Sequence, residues 1–379
     1  MKKLKLAAVC AFGLEAVVKR ECNDLGFENI KVDNGWVYFD GDDTDIAKAN
    51  INLRCAERVM LILGTFKARS FAELFDNIYA LPIEEWIDED GKFVINGKSI
   101  KSKLSSVPAI QASSEKAIVE KLKTKYKNDW FTKDGANYSI WVNLRDDIAT
   151  FAIDTTGARE GLFKRGYREK STIAPLKETM AASLLALSYW NKDRILFDPM
   201  CGSGTIAIEA ALIGKNIAAG LNRNFASERW SCLDSSIWKN EKINARKNIN
   251  FDTELKIYAS DISAKAIAIA ENNAIEAGVD DVIEFSVRDI MHIKNTEYDY
   301  GIMITNPPYG ERIGEDEKIT EIHKHLGEVF GSDPTWSSYI ITAKENFETE
   351  FGRKADRKRK LFNGNVKVNY YQYYGKKPE

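Results

Sequence analysis

A glycine-rich turn between a strand and a helix most constrains the fold of this chain. The apolar strand Ile195–Phe197 runs into Asp198-Pro199-Met200-Cys201-Gly202-Ser203-Gly204-Thr205, and a helix follows as far as Gly214. Glycines let the backbone approach a ligand closely, beside the free amides of a helix N-terminus. From about residue 161 onward, strands and helices alternate. This alternation predicts a parallel sheet covered by helices on both faces.

Acidic residues stand at the ends of three predicted strands. Asp198 ends the first, Asp261 follows the strand that begins at Lys256, and Asp289 follows the strand Val282–Val287. Carboxyl ends of parallel strands meet at one edge of a sheet, where ligands bind. There, Asp261 could accept the hydroxyls of a ribose and Asp289 the amino group of an adenine. Each aspartate could instead cap a helix, but the set of three favours an adenosyl site.

The same glycine loop also fits the fingerprint of a dinucleotide-binding fold, as Gly202-x-Gly204-x-x-Ala207. Two features argue against a nicotinamide cofactor. The glycines follow an Asp-Pro pair, and Asp261 lies far beyond the roughly 20 residues expected between the fingerprint and its acidic partner. A nicotinamide-dependent oxidoreductase is therefore the weaker interpretation.

A second motif, Thr305-Asn306-Pro307-Pro308-Tyr309-Gly310, follows the apolar strand Tyr300–Ile304. Consecutive prolines stiffen the loop and remove two donors. The Asn306 side-chain oxygen and the Pro307 carbonyl can then both accept from one exocyclic amino group, aiming its lone pair at a methyl donor. Tyr309 offers a face on which an extruded base can stack. An Asn-Pro turn alone is common, but the full motif predicts methylation of a nucleobase amine.

The chain from about residue 165 to 379 resembles class I Rossmann-type methyltransferases that modify amino groups. It is most similar to the bacterial large-subunit rRNA guanine-N2 methyltransferases, whose relatives bear the older name of adenine-specific DNA methylases. Besides the two motifs above, the resemblance rests on Gly166-Tyr167-Arg168, Ala174–Thr179, Asn222–Ala226 and Lys360–Gly364.

This resemblance implies S-adenosylmethionine as the cofactor. It assigns the methionine part of the cofactor site to Asp198, Gly202, Gly204 and Thr205, and to the covering segment that holds Thr172 and Pro175. It also assigns Asp261 to the ribose, Asp289 to the adenine amino group, and Asn306 with Pro307 to the target amine. Cys201 in the loop is interpreted as a small packing residue, because cysteine nucleophiles serve methylation at carbon.

The amino-terminal part predicts a separate α+β module. Its first elements follow the ferredoxin-like order of strand, helix, two strands, helix and strand, with an Asn34-Gly35 hairpin turn. Residues from about 45 to 155 resemble a THUMP domain, which implies RNA binding. The expected domains are a ferredoxin-like subdomain over residues 1–65, a THUMP-like domain over 66–157 and a methyltransferase domain over 158–379. Within the THUMP-like part, a loop around Pro108 and a helix over Glu115–Tyr126 are predicted.

Charge is distributed unevenly, although the formal net charge of the 379 residues is only −2. Lys92–Lys127 holds nine lysines against two glutamates, and Arg353–Lys360 holds six basic residues against one aspartate. Such clusters can follow a phosphate backbone, although either alone could be a solvated face. Together with the base-modifying motif, they favour RNA as the partner.

Other classes of protein find little support in the sequence. The five cysteines are scattered and form no Cys-x-x-Cys pair, and His323 and His325 stand two apart in a predicted helix, so no metal site is expected. No apolar run approaches membrane-spanning length and no signal peptide is recognised. A cytoplasmic protein is expected, with its oligomeric state left open.

The leading hypothesis is methyl transfer from S-adenosylmethionine to the N2 amine of a guanine in RNA, most simply 23S rRNA. The alternatives are a tRNA guanine-N2 methyltransferase or an adenine-N6 methyltransferase, since the motif reads an amine and not the rest of the base. A non-catalytic RNA-binding assembly factor is the alternative from another class. That alternative predicts erosion of Asn306, Pro307 or the glycines, and these residues are intact.

Overall fold

The structure is a computed structural model that describes residues 3–128, 132–158, 161–168, 176–294, 296, 298–308, 316–364 and 366–377. Its contacts divide the chain into two compact units. Unit 1 comprises residues 1–10, 18–162 and 223–245, and unit 2 comprises 11–17, 163–222 and 246–379. Each unit contains one mixed sheet.

The strands of the first sheet are β1 (Leu4–Val9), β2 (Glu28–Asp33), β3 (Trp36–Gly41), β4 (Arg58–Lys67), β5 (Lys92–Ile100), β6 (Asn137–Arg145) and β7 (Ile148–Asp154). Those of the second are β8 (Leu196–Asp198), β9 (Ile257–Asp261), β10 (Ile283–Val287), β11 (Ile302–Thr305), β12 (Ser337–Thr342), β13 (Arg357–Asn363) and β14 (Val366–Tyr373).

The α-helices of the described residues are α1 (Glu15–Asp24), α2 (Asp43–Asn52), α3 (Phe71–Tyr79), α4 (Val107–Tyr126), α5 (Glu178–Ala186), α6 (Thr205–Gly214), α7 (Ser236–Lys247), α8 (Ala264–Ala277), α9 (Asp316–Leu326) and α10 (Phe347–Glu350). Short 3-10 turns lie at Ile83–Glu85, Ala226–Arg229, Asp280–Val282 and Ile290–His292, and a π turn lies at Gly327–Gly331.

The first sheet has the strand order β2-β3-β1-β4-β7-β6-β5. Elements β1 to β4 with α1 and α2 follow the predicted ferredoxin-like order, and that prediction is confirmed. Asn34 and Gly35 both adopt positive φ, at 32° and 84°, as the two-residue turn joining β2 and β3 requires. At the far end, β5 pairs in parallel with β6, whereas β6 and β7 form an antiparallel pair.

Helix α4 begins eight residues earlier than the sequence indicates, and the predicted loop around Pro108 is wrong. Ser106 is the N-cap, and its hydroxyl accepts from the amide of Ala109 at 3.4 Å. Pro108 stands in the first turn, where its missing N–H costs no hydrogen bond and its fixed φ suits a helix. Pro108 was predicted to lie in a loop, whereas its position after the Ser106 cap favours helix initiation.

Part of the lysine cluster on α4 is engaged within unit 1. The Lys121 ammonium lies 3.4 Å from Glu84 and 5.4 Å from the ring of Tyr79, and Lys125 donates to the backbone carbonyl of Glu84. Lys98, Lys101 and Lys103, at the end of β5 and in the turn after it, are exposed. The exposed lysines are therefore divided between the end of β5 and helix α4 with its C-cap, where Lys116, Lys125 and Lys127 are exposed.

The segment of residues 223–245, between α6 and β9, belongs to unit 1 rather than to unit 2. Trp230 within it is buried and stacks on Tyr138 of β6, with the ring centroids 5.0 Å apart. Ser231 donates its hydroxyl to Asp88, and Asn52 donates to Glu241 at 2.6 Å. The segment thus belongs to the core of the amino-terminal unit, although it interrupts the alternating part of the sequence.

The second sheet has the order β10-β9-β8-β11-β12-β14-β13. Strands β8 to β12 pair in parallel with one another. The β13–β14 hairpin adds two strands through the antiparallel pairing of β14 with β12. The prediction of an α/β Rossmann-type sheet is confirmed, since the carboxyl ends of β8 to β11 share one edge. Buried side chains fill one face of this sheet, among them Met303, Ile340, Phe347 and Tyr371.

Helix α9 is continued by a π turn. Helix α9 ends at Leu326, and Gly327–Gly331 follows with π geometry. A side chain at Gly327 would collide with the carbonyl oxygen of Phe351. This close approach lets α9 pack beside α10, so the distortion has a packing cause.

Candidate active site at the carboxyl edge of the sheet

The loop between β8 and α6 is held in a conformation that needs glycine. Gly202 and Gly204 adopt φ values of 54° and 79°, which strain residues with a Cβ. A Cβ at Gly204 would lie 3.0 Å from the Cβ of Ala270 on α8. Asn273, also on α8, donates to the Ser203 carbonyl at 3.1 Å. The loop is therefore packed tightly against α8, and the first amides of α6 stand beside it.

Asp261 connects the end of β9 to this loop. Its Oδ2 accepts from the Gly202 amide at 3.0 Å and its Oδ1 from the Ser263 amide at 2.9 Å. Each carboxylate oxygen has capacity for a further hydrogen bond, so the side chain could still accept from ribose hydroxyls. The neighbouring Ile262 is 59% exposed at the same edge, and this apolar surface beside Asp261 was not predicted. The position of Ile262 directly after a strand-ending aspartate is the sequence feature from which this exposed apolar residue could have been predicted.

Asp289 ends the segment after β10 and caps a 3-10 turn. Its Oδ1 accepts from the amide of Met291 at 3.0 Å. Asp289 therefore acts as a cap through Oδ1, which is the alternative given above for each of the three aspartates. The half-buried side chain lies at the same edge of the sheet as Asp198 and Asp261, and both remain candidates for the cofactor site.

Asp198 is the most deeply buried of the three carboxyl groups, with 1% of the residue exposed. Thr305 donates its hydroxyl to Asp198 Oδ1 at 2.8 Å, and the Met200 amide donates to the same oxygen at 3.3 Å. Burial disfavours the charged form and raises the pKa of Asp198 to about 7, although these hydrogen bonds oppose the shift. Its protonation state therefore changes near neutral pH.

The hydrogen bond from Thr305 brings the two sequence motifs together. Thr305 ends β11, which pairs directly with β8. The residues that follow Thr305 are Asn306, which is half-buried, Pro307, which is buried, and Pro308, which is exposed. Tyr309, like Thr172 and Pro175, lies outside the described residues, so the predicted roles of these three stay predictions.

A buried ionic cluster behind the loop was not assigned a role from the sequence. Arg168 donates through Nη2 to the Thr205 hydroxyl at 2.7 Å and to the Leu176 carbonyl at 3.0 Å. Its Nε lies 3.4 Å from Glu178. Burial raises the pKa of Glu178, and the charge of Arg168 opposes that shift. Arg168 thus joins the first turn of α6 to the chain that leads into α5.

A second buried pair lies beside this cluster. Arg165 Nε lies 3.2 Å from Glu209 Oε1 of α6, and the Tyr167 hydroxyl donates to the same oxygen at 3.3 Å. Arginine pairs well with a buried carboxylate because its guanidinium can donate two hydrogen bonds in one plane. Tyr167 and Arg168 therefore anchor α6 at Glu209 and Thr205, which lie one turn apart on the same face of the helix.

Cys201 is buried within the glycine loop. Burial and the carboxylates of Asp198 and Asp261 raise the pKa of its thiol well above the ordinary value. A thiol held in the protonated form is a poor nucleophile. This environment agrees with its interpretation as a packing residue.

The described parts of the chain contain neither a metal-binding cluster nor a membrane-spanning helix. Among those residues, no group of three or more histidine, cysteine, aspartate or glutamate side chains is arranged to hold a metal ion. Likewise, no helix within the described ranges is both long and apolar enough to cross a membrane.

Three family descriptions match the chain in sequence order. An RlmL ferredoxin-like domain matches residues 5–60, a THUMP domain matches residues 68–154, and the RMKL-like methyltransferase domain matches residues 165–372. These matches confirm the predicted resemblance for both parts of the chain.

Relatives resemble the chain over its whole length. YpsC of Bacillus subtilis (strain 168), by its name a proposed RNA methyltransferase, is 47% identical over 99% of this chain and 97% of its own. A Listeria monocytogenes structure described as an N6-adenine-specific DNA methylase predicted from sequence is 45% identical over 99% of this chain and 97% of its own, with a TM-score of 0.93. SMU.472, described as a methyltransferase candidate complexed with SAH, is 42% identical over the full length of both chains, with a TM-score of 0.91. The chain therefore belongs to the RMKL-like methyltransferase family, with RlmL ferredoxin-like and THUMP domains preceding the methyltransferase domain.

Proposed function

We propose that this protein transfers a methyl group to the exocyclic N2 amine of a guanine in RNA, with 23S rRNA as the substrate. The observation that carries the proposal is the hydrogen bond of Thr305 to Asp198, because it sets Asn306 and Pro307 directly beside the glycine loop. We call Asn306 and Pro307 the amine-positioning motif, and such a motif next to a cofactor loop suits methyl transfer. The THUMP domain and the name of YpsC support RNA as the substrate.

The cofactor is S-adenosylmethionine, and the residues present fit it. Gly202 and Gly204 adopt left-handed φ at the start of α6, and the free amides of a helix N-terminus suit the carboxylate of the methionine part. Asp261 and Asp289 stand at the edge of the sheet where an adenosyl group binds in such folds. When bound, the cofactor supplies a methyl group on a positively charged sulfur. SMU.472 is the relative whose structure contains SAH.

Asn306 and Pro307 hold the amine in the proposed reaction. The amino group on a base is a weak nucleophile because its lone pair is delocalised into the ring. Acceptance of its two hydrogens by the Asn306 side-chain oxygen and the Pro307 carbonyl favours a pyramidal nitrogen with the lone pair directed outward. The same two oxygens stabilise the positive charge that develops on the nitrogen. Positioning then supplies much of the rate acceleration.

Adenine N6 is the second candidate, since the motif recognises an amine. The Listeria monocytogenes relative is described as acting on adenine in DNA, and a tRNA guanine presents the same N2 group. The THUMP domain argues against DNA. The resemblance of Lys360-Leu361-Phe362-Asn363-Gly364 and Gly166-Tyr167-Arg168 to large-subunit rRNA methyltransferases argues for guanine in rRNA.

Mass spectrometry of nucleosides tests this proposal. Separated 23S rRNA, 16S rRNA and tRNA would be compared between cells with and without the gene. Loss of N2-methylguanosine from 23S rRNA, restored by the wild-type gene and not by Asn306→Ala, is the expected result. A loss confined to tRNA would show that tRNA is the substrate, and a fall in N6-methyladenosine would show that adenine is the methylated base. Unchanged nucleosides in every fraction would support the non-catalytic assembly factor.

A further inference from the structure

Phe12 is a large aromatic side chain that the fold leaves 57% exposed. It precedes α1 and belongs to the short segment of residues 11–17 that packs with unit 2. Its ring contacts that of Phe362 on β13 edge to face, with the centroids 6.4 Å apart. The Lys360 ammonium stands 5.5 Å from the centroid of the Phe362 ring. We call Phe12, Lys360 and Phe362 the aromatic–lysine platform.

The backbone holds Phe12 firmly at this place. Gly13 adopts φ of 92°, and a Cβ on it would lie 3.0 Å from the Lys360 carbonyl oxygen. The Gly13 amide donates to Glu15 Oε2 at 2.9 Å. Only a glycine lets the segment approach β13 so closely. The exposure of Phe12 is therefore a property of a fixed loop rather than of a loose end.

The platform lies at the same edge of the sheet as the amine-positioning motif. Thr305 pairs with Ile340, Ile340 with Tyr371, and Tyr371 with Lys358. Lys358 is therefore level with Thr305, three strand spacings or about 14 Å away. Strand β13 runs in the same direction as β11, so Lys360 is displaced toward the carboxyl edge just as Pro307 is.

The charge around the platform suits a polyanion. Lys358, Lys360 and Phe362 alternate along one face of β13. The Lys358 ammonium lies 4.7 Å from the centroid of the Tyr371 ring, and Lys360 is exposed. The run Arg353–Lys360 contains six basic residues and one acidic residue. Phe12 is exposed and Phe362 is half-buried, so both rings retain some accessible surface. Lysines beside accessible aromatic rings form the combination by which proteins hold single-stranded nucleic acid, through phosphate contacts and stacking.

We propose that the aromatic–lysine platform binds single-stranded RNA next to the target nucleotide, with Phe12 and Phe362 stacking on bases and Lys360 contacting a phosphate. This inference rests on the proposed RNA substrate. When one base is extruded into the active site, the bases next to it must be kept from stacking on their usual neighbours. The platform, about 14 Å from the amine-positioning motif, provides a second point of attachment on the same strand.

Alanine variants with a matched control test the platform. Phe12→Ala and Phe362→Ala each remove one ring. Phe251→Ala is the control and removes a phenyl ring that is 72% exposed. Phe251 lies near Lys215, at the carboxyl-terminal end of α6 and therefore at the opposite edge of the sheet. Binding of a fluorescein-labelled, unstructured RNA of mixed sequence would be measured with full-length protein. Methylation of RNA from cells lacking the gene would be followed in parallel.

The expected result is an increase of about 5- to 150-fold in the Kd for RNA with either platform variant, from the usual cost of losing one stacked base. The Phe251→Ala protein keeps the wild-type Kd, and all three keep their affinity for S-adenosylmethionine and their melting temperature. In methylation, KM rises more than kcat falls. Lys360→Met removes one phosphate contact and so reduces the slope of log Kd against log salt by about 0.7, the contribution of one contact on a single strand.

Equal RNA affinity for the Phe12→Ala, Phe362→Ala and Phe251→Ala proteins would overturn the platform. So would a wild-type dimer that Phe12→Ala converts to a monomer, because the rings would then serve self-association. These outcomes are independent of the methylated base. A shift from guanine to adenine in the nucleoside analysis leaves the RNA-binding result standing, and loss of N2-methylguanosine with unchanged RNA affinity keeps the proposed function without the platform.

Discussion

The Thr305 hydroxyl donates a hydrogen bond of 2.8 Å to Asp198, and in doing so joins the ends of two neighbouring parallel strands. One strand leads into the glycine loop and the other into Asn306-Pro307-Pro308. The two motifs are more than 100 residues apart in the sequence. Their contact through a buried carboxyl group makes the geometry of the Asn306-Pro307-Pro308 segment depend on that of the glycine loop.

The first prediction concerns Asn306. Asn306→Ala removes the side-chain acceptor while leaving β11, Thr305 and the loop unchanged. We expect kcat to fall by about 100- to 1000-fold, the usual effect of losing one preorganised polar contact in a transition state. Tritium transfer from labelled S-adenosylmethionine measures activity, and calorimetry checks that cofactor affinity is retained. A fully active variant would exclude the acceptor role.

The second prediction concerns pH. The pKa of Asp198 is raised from 3.8 to about 7 in the folded protein. The folded state therefore binds more protons than the unfolded chain between these values, and stability falls as pH rises from about 4 to about 7, then levels off. The difference between the pKa values corresponds to about 4 kcal/mol.

Asp198→Asn should remove this component. Urea unfolding of the cofactor-free wild type and variant between pH 4.5 and 8 gives two curves, whose difference should grow steadily up to pH 7. Other buried carboxyl groups, such as Asp154 and Glu178, titrate in both proteins and cancel in the difference. Two parallel curves would show that Asp198 does not titrate in this range.

The third prediction concerns Arg168 as a positioning residue. Arg168→Lys keeps the charge beside Glu178 but loses the planar guanidinium whose Nη2 donates to both Thr205 and Leu176. We expect the Kd for S-adenosylmethionine to rise about tenfold, with little change in kcat at saturating cofactor. Glu178 stays paired with a cation, so the variant should fold.

Arg194→Lys is the matched control for Arg168→Lys. Arg194 donates through Nε and Nη2 to the Tyr300 carbonyl, at 3.0 and 2.7 Å, at the amino ends of β8 and β11. The Arg194→Lys substitution should lower the melting temperature about as much as Arg168→Lys does, without changing the Kd for S-adenosylmethionine. If both variants weakened the cofactor equally, Arg168 would be acting through general stability alone.

The fourth prediction concerns the exposed lysines after β5. Replacing Lys98, Lys101 and Lys103 with glutamate should weaken RNA binding and lower the slope of log Kd against log salt by about two, because each lost phosphate contact on a single strand contributes about 0.7. Lys192→Glu, before β8, serves as a charge control. An unchanged Kd across the salt titration would mean that the three lysines form only a solvated face.

Much of the fold was predictable because its signals are local. The alternation of apolar segments indicated the parallel sheet, and Asn34-Gly35 indicated a hairpin whose turn has the positive φ values that these residues tolerate. The start of α4 was not predictable from Pro108 alone, since proline ends some helices and begins others. Which occurs depends on the Ser106 cap and on what the added turns pack against.

The sequence by itself determined the motifs, the fold class and the set of candidate residues for the cofactor and the amine. Only the tertiary structure decided that Thr305 bonds to Asp198, that Arg168 joins two helices, and that Phe12 meets Phe362. Each of these contacts joins residues far apart along the chain, and its geometry follows from strand order and close packing. Sequence periodicity records which face of an element is buried, but not which partner covers it.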